Sequence, residues 1–152
     1  MNNKSFLLLL GGVLSFGAAI FQAAIAFVPE WSAAFGAGDA LVSNPSLLLA
    51  LGILVALLLV IFGLYGLSGA GVIRRLPFLR LGLLVIGLLY ALVGVNFIFQ
   101  ALVMLGILPS AQPMPVYQVL VTFGALVASL SYLIGLAVSW RRLSNKPVPA
   151  FG

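Results

Sequence analysis

The sequence contains no cysteine and no histidine, and these absences exclude several kinds of chemistry. Disulfides, thiolate or imidazole metal ligands and Cys–His or Ser–His nucleophile pairs cannot form. The 152 residues include two carboxylates, Glu30 and Asp39. Two carboxylates can in principle serve as acid and base, but no oxyanion donor set or metal-ligand motif accompanies them. We therefore expect no enzymatic activity, no catalytic residues, no metal and no cofactor.

Charge is scarce as well, and hydrophobic residues take its place. Charged residues make up 6% of the chain and hydrophobic residues 64%, against roughly 25% and 45–50% in a soluble domain. This composition excludes an ordinary soluble domain, a disordered chain and a fibrous protein. The uncharged interval 81–140 holds 60 residues, enough for two crossings of about 20 residues each. The sequence predicts an all-α membrane protein with a single domain, residues 1–152.

Turn signals divide the apolar sequence into four transmembrane helices. We predict them at about residues 6–27, 45–68, 77–107 and 115–140, arranged as an antiparallel four-helix bundle. Ser43-Asn44 followed by Pro45 is typical of a helix start, because Asn caps helices and proline suits the first helical position. Pro77 and Pro115 can open helices three and four for the same reason.

The first apolar run also has some features of a secretory signal. It follows Lys4 and contains the small-residue sequence Ala24-Ile25-Ala26, which resembles a cleavage site. The uncharged run from Ser5 is, however, longer than the ~7–15 residues of a typical signal-peptide core. We therefore expect this segment to be retained as the first transmembrane helix.

The positions of the basic residues predict the orientation of the bundle. If the N-terminus is inside, all seven basic residues face the cytoplasm and both acidic residues face outside. An excess of Lys and Arg in short cytoplasmic loops is the main determinant of orientation. We predict a bacterial inner (plasma) membrane protein with both termini cytoplasmic. The residues expected to meet anionic lipid headgroups, rather than nucleic acid, are Arg74, Arg75, Arg80, Arg141 and Arg142.

A weak internal repeat relates the two halves of the chain. Predicted helices one and three share the sequence Ile-Phe-Gln-Ala, at 20–23 and 98–101. The segments 52–58 and 124–130 agree at five of seven positions. Two interpretations stay open. The halves are either two related helical hairpins with an axis along the membrane normal, or a coincidence among helices rich in Leu, Ala, Gly and Val.

Polar side chains within the apolar segments are the candidate ligand-binding residues. We predict that Gln22, Asn96 and Gln100 face the bundle interior, because hydrocarbon offers their amides no water. Asn96 and Gln100 are four residues apart and share a helix face. Tyr90 lies deeper on the same helix. These groups either form interhelical hydrogen bonds or line a polar-ended cavity that orients a lipid-like ligand.

The first predicted external loop adds two candidates, Glu30 and Trp31. Pro29 can start a short helix in which Trp31 and Phe35 lie on one side. Trp31 is then an anchor in the headgroup region. Alternatively, the segment is a lid whose Glu30 or Asp39 meets a cationic group of a ligand.

These observations predict a non-enzymatic integral membrane protein. We expect a small accessory or oligomeric subunit with bound lipid, whose partners are membrane lipids and either copies of itself or a larger membrane complex. The alternative is a carrier or binding protein for a small hydrophobic molecule. Proton- or sodium-coupled transport is disfavoured, because no acidic residue is predicted within the hydrocarbon.

Overall fold

A computed structural model describes residues 3–35, 38–109 and 116–144, with the backbone alone at residues 3, 4, 142 and 144. Within these ranges the structure consists of helices and connecting turns, without strands. The helices are α1 (Asn3–Ala26), α2 (Pro29–Ala34), α3 (Asp39–Val42), α4 (Pro45–Ala70), α5 (Leu79–Met104) and α6 (Val116–Ser144). The predicted start of the fourth long helix at Pro115 lies outside the described residues.

Four of these helices are long and apolar enough to cross a membrane. The shortest apolar segment, Ser5–Ala26, has 22 residues, or about 33 Å at ~1.5 Å per residue. That length matches a hydrocarbon layer of about 30 Å. The mean hydropathy of the four segments runs from 2.0 to 3.2. The chain therefore has the composition and helix lengths of a multi-pass membrane protein.

Two glycines end α4 and α5 in the same way. Gly71 and Gly106 have φ values of 83° and 72°, in the left-handed region that glycine adopts without a steric penalty. The N–H of the following residue then returns to a helix carbonyl, as Val72 N donates to Leu67 O at 3.0 Å. This arrangement is a Schellman motif. It ends α5 at Met104, three residues before the predicted end.

The starts of α4 and α5 differ in how well the sequence predicts them. Asn44 Oδ1 accepts a hydrogen bond from Leu47 N at 3.3 Å, and Pro45 occupies the first turn of α4, which confirms the predicted cap. Pro77 was predicted to open the third long helix, but α5 begins at Leu79. Phe78 intervenes with φ 51°, so Pro77 stands before the helix.

Close backbone contacts join the long helices in pairs. A Cβ atom added at Gly66 of α4 would lie 2.6 Å from Gly12 Cα of α1, so these two helices touch through backbone. Toward the other end of the same pair, Gly52 contacts Ala26. The C-terminal part of α4 therefore lies beside the N-terminal part of α1. A Cβ at Gly94 of α5 would lie 2.7 Å from Leu126 Cα of α6, which places α5 and α6 in similarly close contact.

The buried core lies toward the end of the bundle that carries the 71–78 loop. Leu8, Leu83, Tyr132 and Leu136 are at most 3% exposed and pack together there. Helices α4 and α5 also meet at this end, where Leu83 lies beside Gly69. Elsewhere α4 and α5 contact each other far less than α1 contacts α4 or α5 contacts α6. Space therefore remains between them at the end that carries α2 and α3.

Candidate functional site

A cleft of about 990 Å³ occupies that space. Its volume lies at the upper end of the ~300–1,000 Å³ typical of small-molecule sites. All four long helices contribute to its walls, and most of the lining is aliphatic or aromatic. The lining includes Leu14, Ala18, Phe21, Gln22, Leu51, Val55, Tyr90, Val93, Val121, Gly124 and Ala128.

The cleft has an open side along the bundle. Several lining side chains are substantially exposed, including Val13 (56%), Val55 (41%) and Val93 (45%). These residues lie in segments apolar enough to cross a membrane. In a bilayer the opening would therefore face lipid chains rather than water.

Helix α2 and the residue after it close one end of the cleft. Ser32 is buried, and its hydroxyl donates to Ile25 O at 2.7 Å, which holds α2 across the end of α1. The ring of Phe35 lies 5.0 Å from that of Phe21 and 4.7 Å from that of Tyr117. Phe35 therefore bridges α1 and α6 at the end wall.

A cluster of hydroxyl groups lies at the opposite end of the cleft and connects all four long helices. Ser15 of α1 is 2.9 Å from the Tyr132 hydroxyl of α6, and the Tyr90 hydroxyl of α5 donates to Ser15 Oγ at 2.9 Å. The Tyr132 hydroxyl donates to Phe62 O of α4 at 2.8 Å. Ser15 and Tyr132 are fully buried, whereas Tyr90 also lines the cleft.

The protons of this cluster can be assigned from its contacts. Tyr90 uses its single hydroxyl proton on Ser15, and Tyr132 uses its own on Phe62 O. The Ser15 proton is then shared between Gly11 O at 3.0 Å and the Tyr132 oxygen. Each hydroxyl carries one donor, so every proton is placed. The donors of the cluster are therefore all used within the bundle, and the cluster forms the inner end of the cleft.

Gln22 differs from the polar groups at both ends. It lies in the cleft lining beside Gly52, where a Cβ on that glycine would be 4.0 Å from Gln22 Nε2. The structure gives its amide no hydrogen-bond partner among the described residues. An amide offers two donors and an acceptor. Gln22 thus adds a hydrogen-bonding amide to a mostly apolar cleft lining.

The other two predicted amides have separate environments. Gln100 is 9% exposed and accepts a hydrogen bond from Thr122 Oγ1 at 2.7 Å, which joins α5 to α6. Asn96 is exposed, and its amide nitrogen donates to Leu92 O and Val93 O of its own helix. The prediction that Asn96 faces the bundle interior is therefore wrong. Its amide nitrogen reaches only carbonyls of its own helix, at 3.3–3.4 Å, a local contact open to short polar side chains.

The structure does not bring Glu30 and Trp31 into the cleft. Both are exposed on α2, with Trp31 at 55%. Phe35, whose N–H donates to Trp31 O at 3.0 Å, packs its ring against Phe21 and Tyr117 at the end wall. The ligand-binding roles of Glu30 and Trp31 stay predictions.

The arginines whose side chains are described lie at the end of the bundle opposite α2. Arg74, Arg75 and Arg141 are exposed. Arg80 donates to Trp140 O at 2.7 Å, and its guanidinium carbon lies 4.6 Å from the centre of the Trp140 ring. The Arg80 side chain therefore joins α5 to α6. The side chain of Arg142 lies outside the described residues.

Residues that the repeat pairs have different surroundings. Gly52 is packed against Ala26, whereas a Cβ at Gly124 would meet no atom within 4 Å because it would enter the cleft. Gln22 lines the cleft while Gln100 bonds to Thr122. The relation between the two halves stays a prediction.

Comparison of this chain with protein-family models, with curated proteins and with solved structures gave no match. The sequence did not predict Ser15 or Gly124 as residues of the site. Ser15 follows Gly11 at a spacing that suits close helix contact, but its tyrosine partners come from α5 and α6. A glycine in an apolar helix carries no sign that it faces open space.

Proposed function

We propose that this protein is a non-enzymatic membrane protein that binds a lipid-like apolar molecule in the cleft. The observation that carries the proposal is Gln22, a hydrogen-bonding amide without a partner among the described residues, in an apolar cleft of about 990 Å³. Small-molecule sites combine a mostly apolar lining with a few polar groups that orient the ligand. The molecule would place its chain along the apolar walls and a polar group at Gln22.

The open side of the cleft suggests how such a molecule enters. Lipid chains in the bilayer reach the opening laterally, past Val55 on α4 and Val93 on α5. The bound molecule is then drawn from the membrane and not from water. This mode suits both a subunit that holds a lipid permanently and a carrier that exchanges one.

We further propose an antiparallel bundle in a bacterial inner membrane, with the 71–78 loop and both termini in the cytoplasm. Arg74, Arg75 and Arg141 lie at that end, and the acidic residues Glu30 and Asp39 lie in the opposite connection. The segregation of charge agrees with the preference of basic residues for the cytoplasmic side.

Single cysteines test this orientation without background, because the chain has no cysteine. Cysteine at Ala33, which is exposed on α2, should react with an impermeant thiol reagent in intact cells stripped of any outer membrane. Cysteine at Val72, which is 59% exposed in the loop, should react only after permeabilisation. External labelling of Val72 in intact cells would contradict the proposed orientation.

Photo-crosslinking in native membranes tests the binding proposal. A diazirine side chain at Val121 lies in the cleft wall, whereas one at Leu120, the preceding residue of α6, is 63% exposed outside it. We expect the probe at Val121 to give one predominant adduct mass. The probe at Leu120 should label bulk lipids in proportion to their abundance. Identical adduct distributions at the two positions would count against an occupied cleft.

A further inference from the structure

The lipid-facing surface of α5 contains one polar residue in an unexpected place, Asn96. It lies about 7 Å along the helix from the midpoint of α5 at ~1.5 Å per residue. That is well within a hydrocarbon layer of about 30 Å. Apolar exposure is expected there, and the exposed neighbours Leu92 and Phe99 need no explanation. An exposed amide in this position requires an explanation, because polar groups in hydrocarbon are unfavourable unless they are paired.

The hydrogen bonds of Asn96 leave part of its amide unused. The amide nitrogen donates to Leu92 O at 3.4 Å and to Val93 O at 3.3 Å, both longer than a typical N–H···O bond of ~2.7–3.2 Å. Among the described residues the structure gives no donor to Oδ1. The side chain therefore has a free acceptor and weakly held donors, and it points away from the bundle.

Asn96 lies in a stripe of otherwise apolar residues on one face of α5, which are exposed except for the last of them. Counting along α5, they follow one another at alternating intervals of four and three, which is the a/d spacing of a left-handed helix pair. Asn96 occupies an a position, where a single Asn determines the register of two helices. The stripe is Val85, Leu89, Leu92, Asn96, Phe99 and Val103.

From these observations we propose that α5 associates with α5 of a second copy of this chain, with the two Asn96 amides hydrogen-bonded across the interface. A second copy is the occupant that the chemistry favours, since an amide is both donor and acceptor and thus complements another amide. The inference rests on the membrane-spanning part of the proposed function. It is independent of what the cleft binds.

Disulfide crosslinking of the full chain in phosphatidylcholine vesicles tests this inference. Cysteine replaces Leu92, which is 70% exposed one helical turn from Asn96 within the stripe. The matched control replaces Leu57 of α4, which is 57% exposed and lies outside the stripe. Under mild oxidation we expect L92C to form the disulfide dimer about tenfold faster than L57C, a ratio that corresponds to ~1.4 kcal/mol.

A second variant separates the amide from general apolar contact. N96L in the L92C background should slow crosslinking about tenfold. It should also leave the thermal unfolding midpoint of the monomer in detergent unchanged, because Asn96 bonds only to its own helix in the described structure. Equal crosslinking of L92C and L57C, or of L92C with and without N96L, would overturn the inference.

Two further outcomes would also overturn it. Flotation of the protein with the vesicles is measured first, and failure to float would overturn the inference together with the membrane-spanning proposal. In native membranes, crosslinking of L92C to a different protein in place of its own copy would assign the stripe to another partner. An empty cleft would leave the expected crosslinking unchanged, so the two proposals can fail separately.

Discussion

Gly66→Ala is expected to lower the free energy of unfolding in detergent by about 1–3 kcal/mol, the usual range for overpacking. The added methyl group would lie 2.6 Å from Gly12 Cα, 2.7 Å from Gly12 N and 2.9 Å from Leu8 O. All three atoms belong to the backbone of α1, so a side-chain rotation cannot relieve the clash. The helices α1 and α4 must separate, and the midpoint of thermal or denaturant-induced unfolding should fall.

Gly17→Ala is the matched control for this prediction. Gly17 lies within α1, the helix that Gly66 of α4 contacts. A Cβ at Gly17 would meet no atom within 4 Å. Both substitutions gain up to ~1 kcal/mol of helix propensity, so the difference between them measures the clash. We expect Gly17→Ala to unfold at the same midpoint as the original chain or at a higher one. Equal effects of the two substitutions would contradict the close approach of α1 and α4.

The sequence predicts the number of long helices because charge is confined to a few short intervals. Turn chemistry also predicts the start of α4, where Asn44 caps the helix before Pro45. The boundaries of α5 were less accurate for a local reason. Phe78 has a positive φ, a conformation uncommon for a bulky residue, and no sequence pattern indicates that it separates Pro77 from the helix.

The candidate site was predicted only in part. Amides within the apolar segments were predicted to need a partner in the bundle interior. Asn96 instead donates to carbonyls of its own helix, an alternative open to short polar side chains. The inner end of the cleft depends on Tyr132 and Phe62 O. Every residue has a backbone carbonyl, so the sequence does not indicate which one on another helix accepts the Tyr132 hydrogen bond.

The cleft itself could not be predicted from composition or periodicity. It exists because α4 and α5 meet near the 71–78 loop and contact each other little elsewhere. Small residues on the facing helices, such as Ala18 and Gly124, leave the space unfilled. The same residue types also allow close packing, as Gly12 and Gly66 do. Which role a small residue takes is decided by the tertiary structure.

Gly124→Trp is expected to empty the cleft while the protein stays folded. The new side chain would extend into the cleft from a position with no atom within 4 Å of its Cβ. We expect the unfolding free energy to change by less than about 0.5 kcal/mol, as at positions without close neighbours. The amount of co-purifying apolar molecule should fall about tenfold or more, since each tenfold loss needs only ~1.4 kcal/mol. Mass spectrometry of an organic extract, scaled to protein, measures it.

Leu120→Trp controls for the added indole ring. Leu120 is one helical turn from Gly124 on α6, is 63% exposed and does not line the cleft. This variant adds an aromatic ring to the lipid-facing surface, so it should keep the co-purifying molecule and the unfolding midpoint. A similar loss from both variants would show that tryptophan on α6 disturbs the protein generally.

Native mass spectrometry of the protein released from lipid nanodiscs tests the occupied cleft most directly. We predict that the original chain and Leu120→Trp retain one apolar molecule of defined mass per chain. The same ratio should hold for monomers and for oligomers. The molecule should be lost on unfolding and absent from Gly124→Trp. Chains without a retained molecule, or the same retained mixture of bulk lipids in all three proteins, would contradict the proposal that this cleft is a binding site.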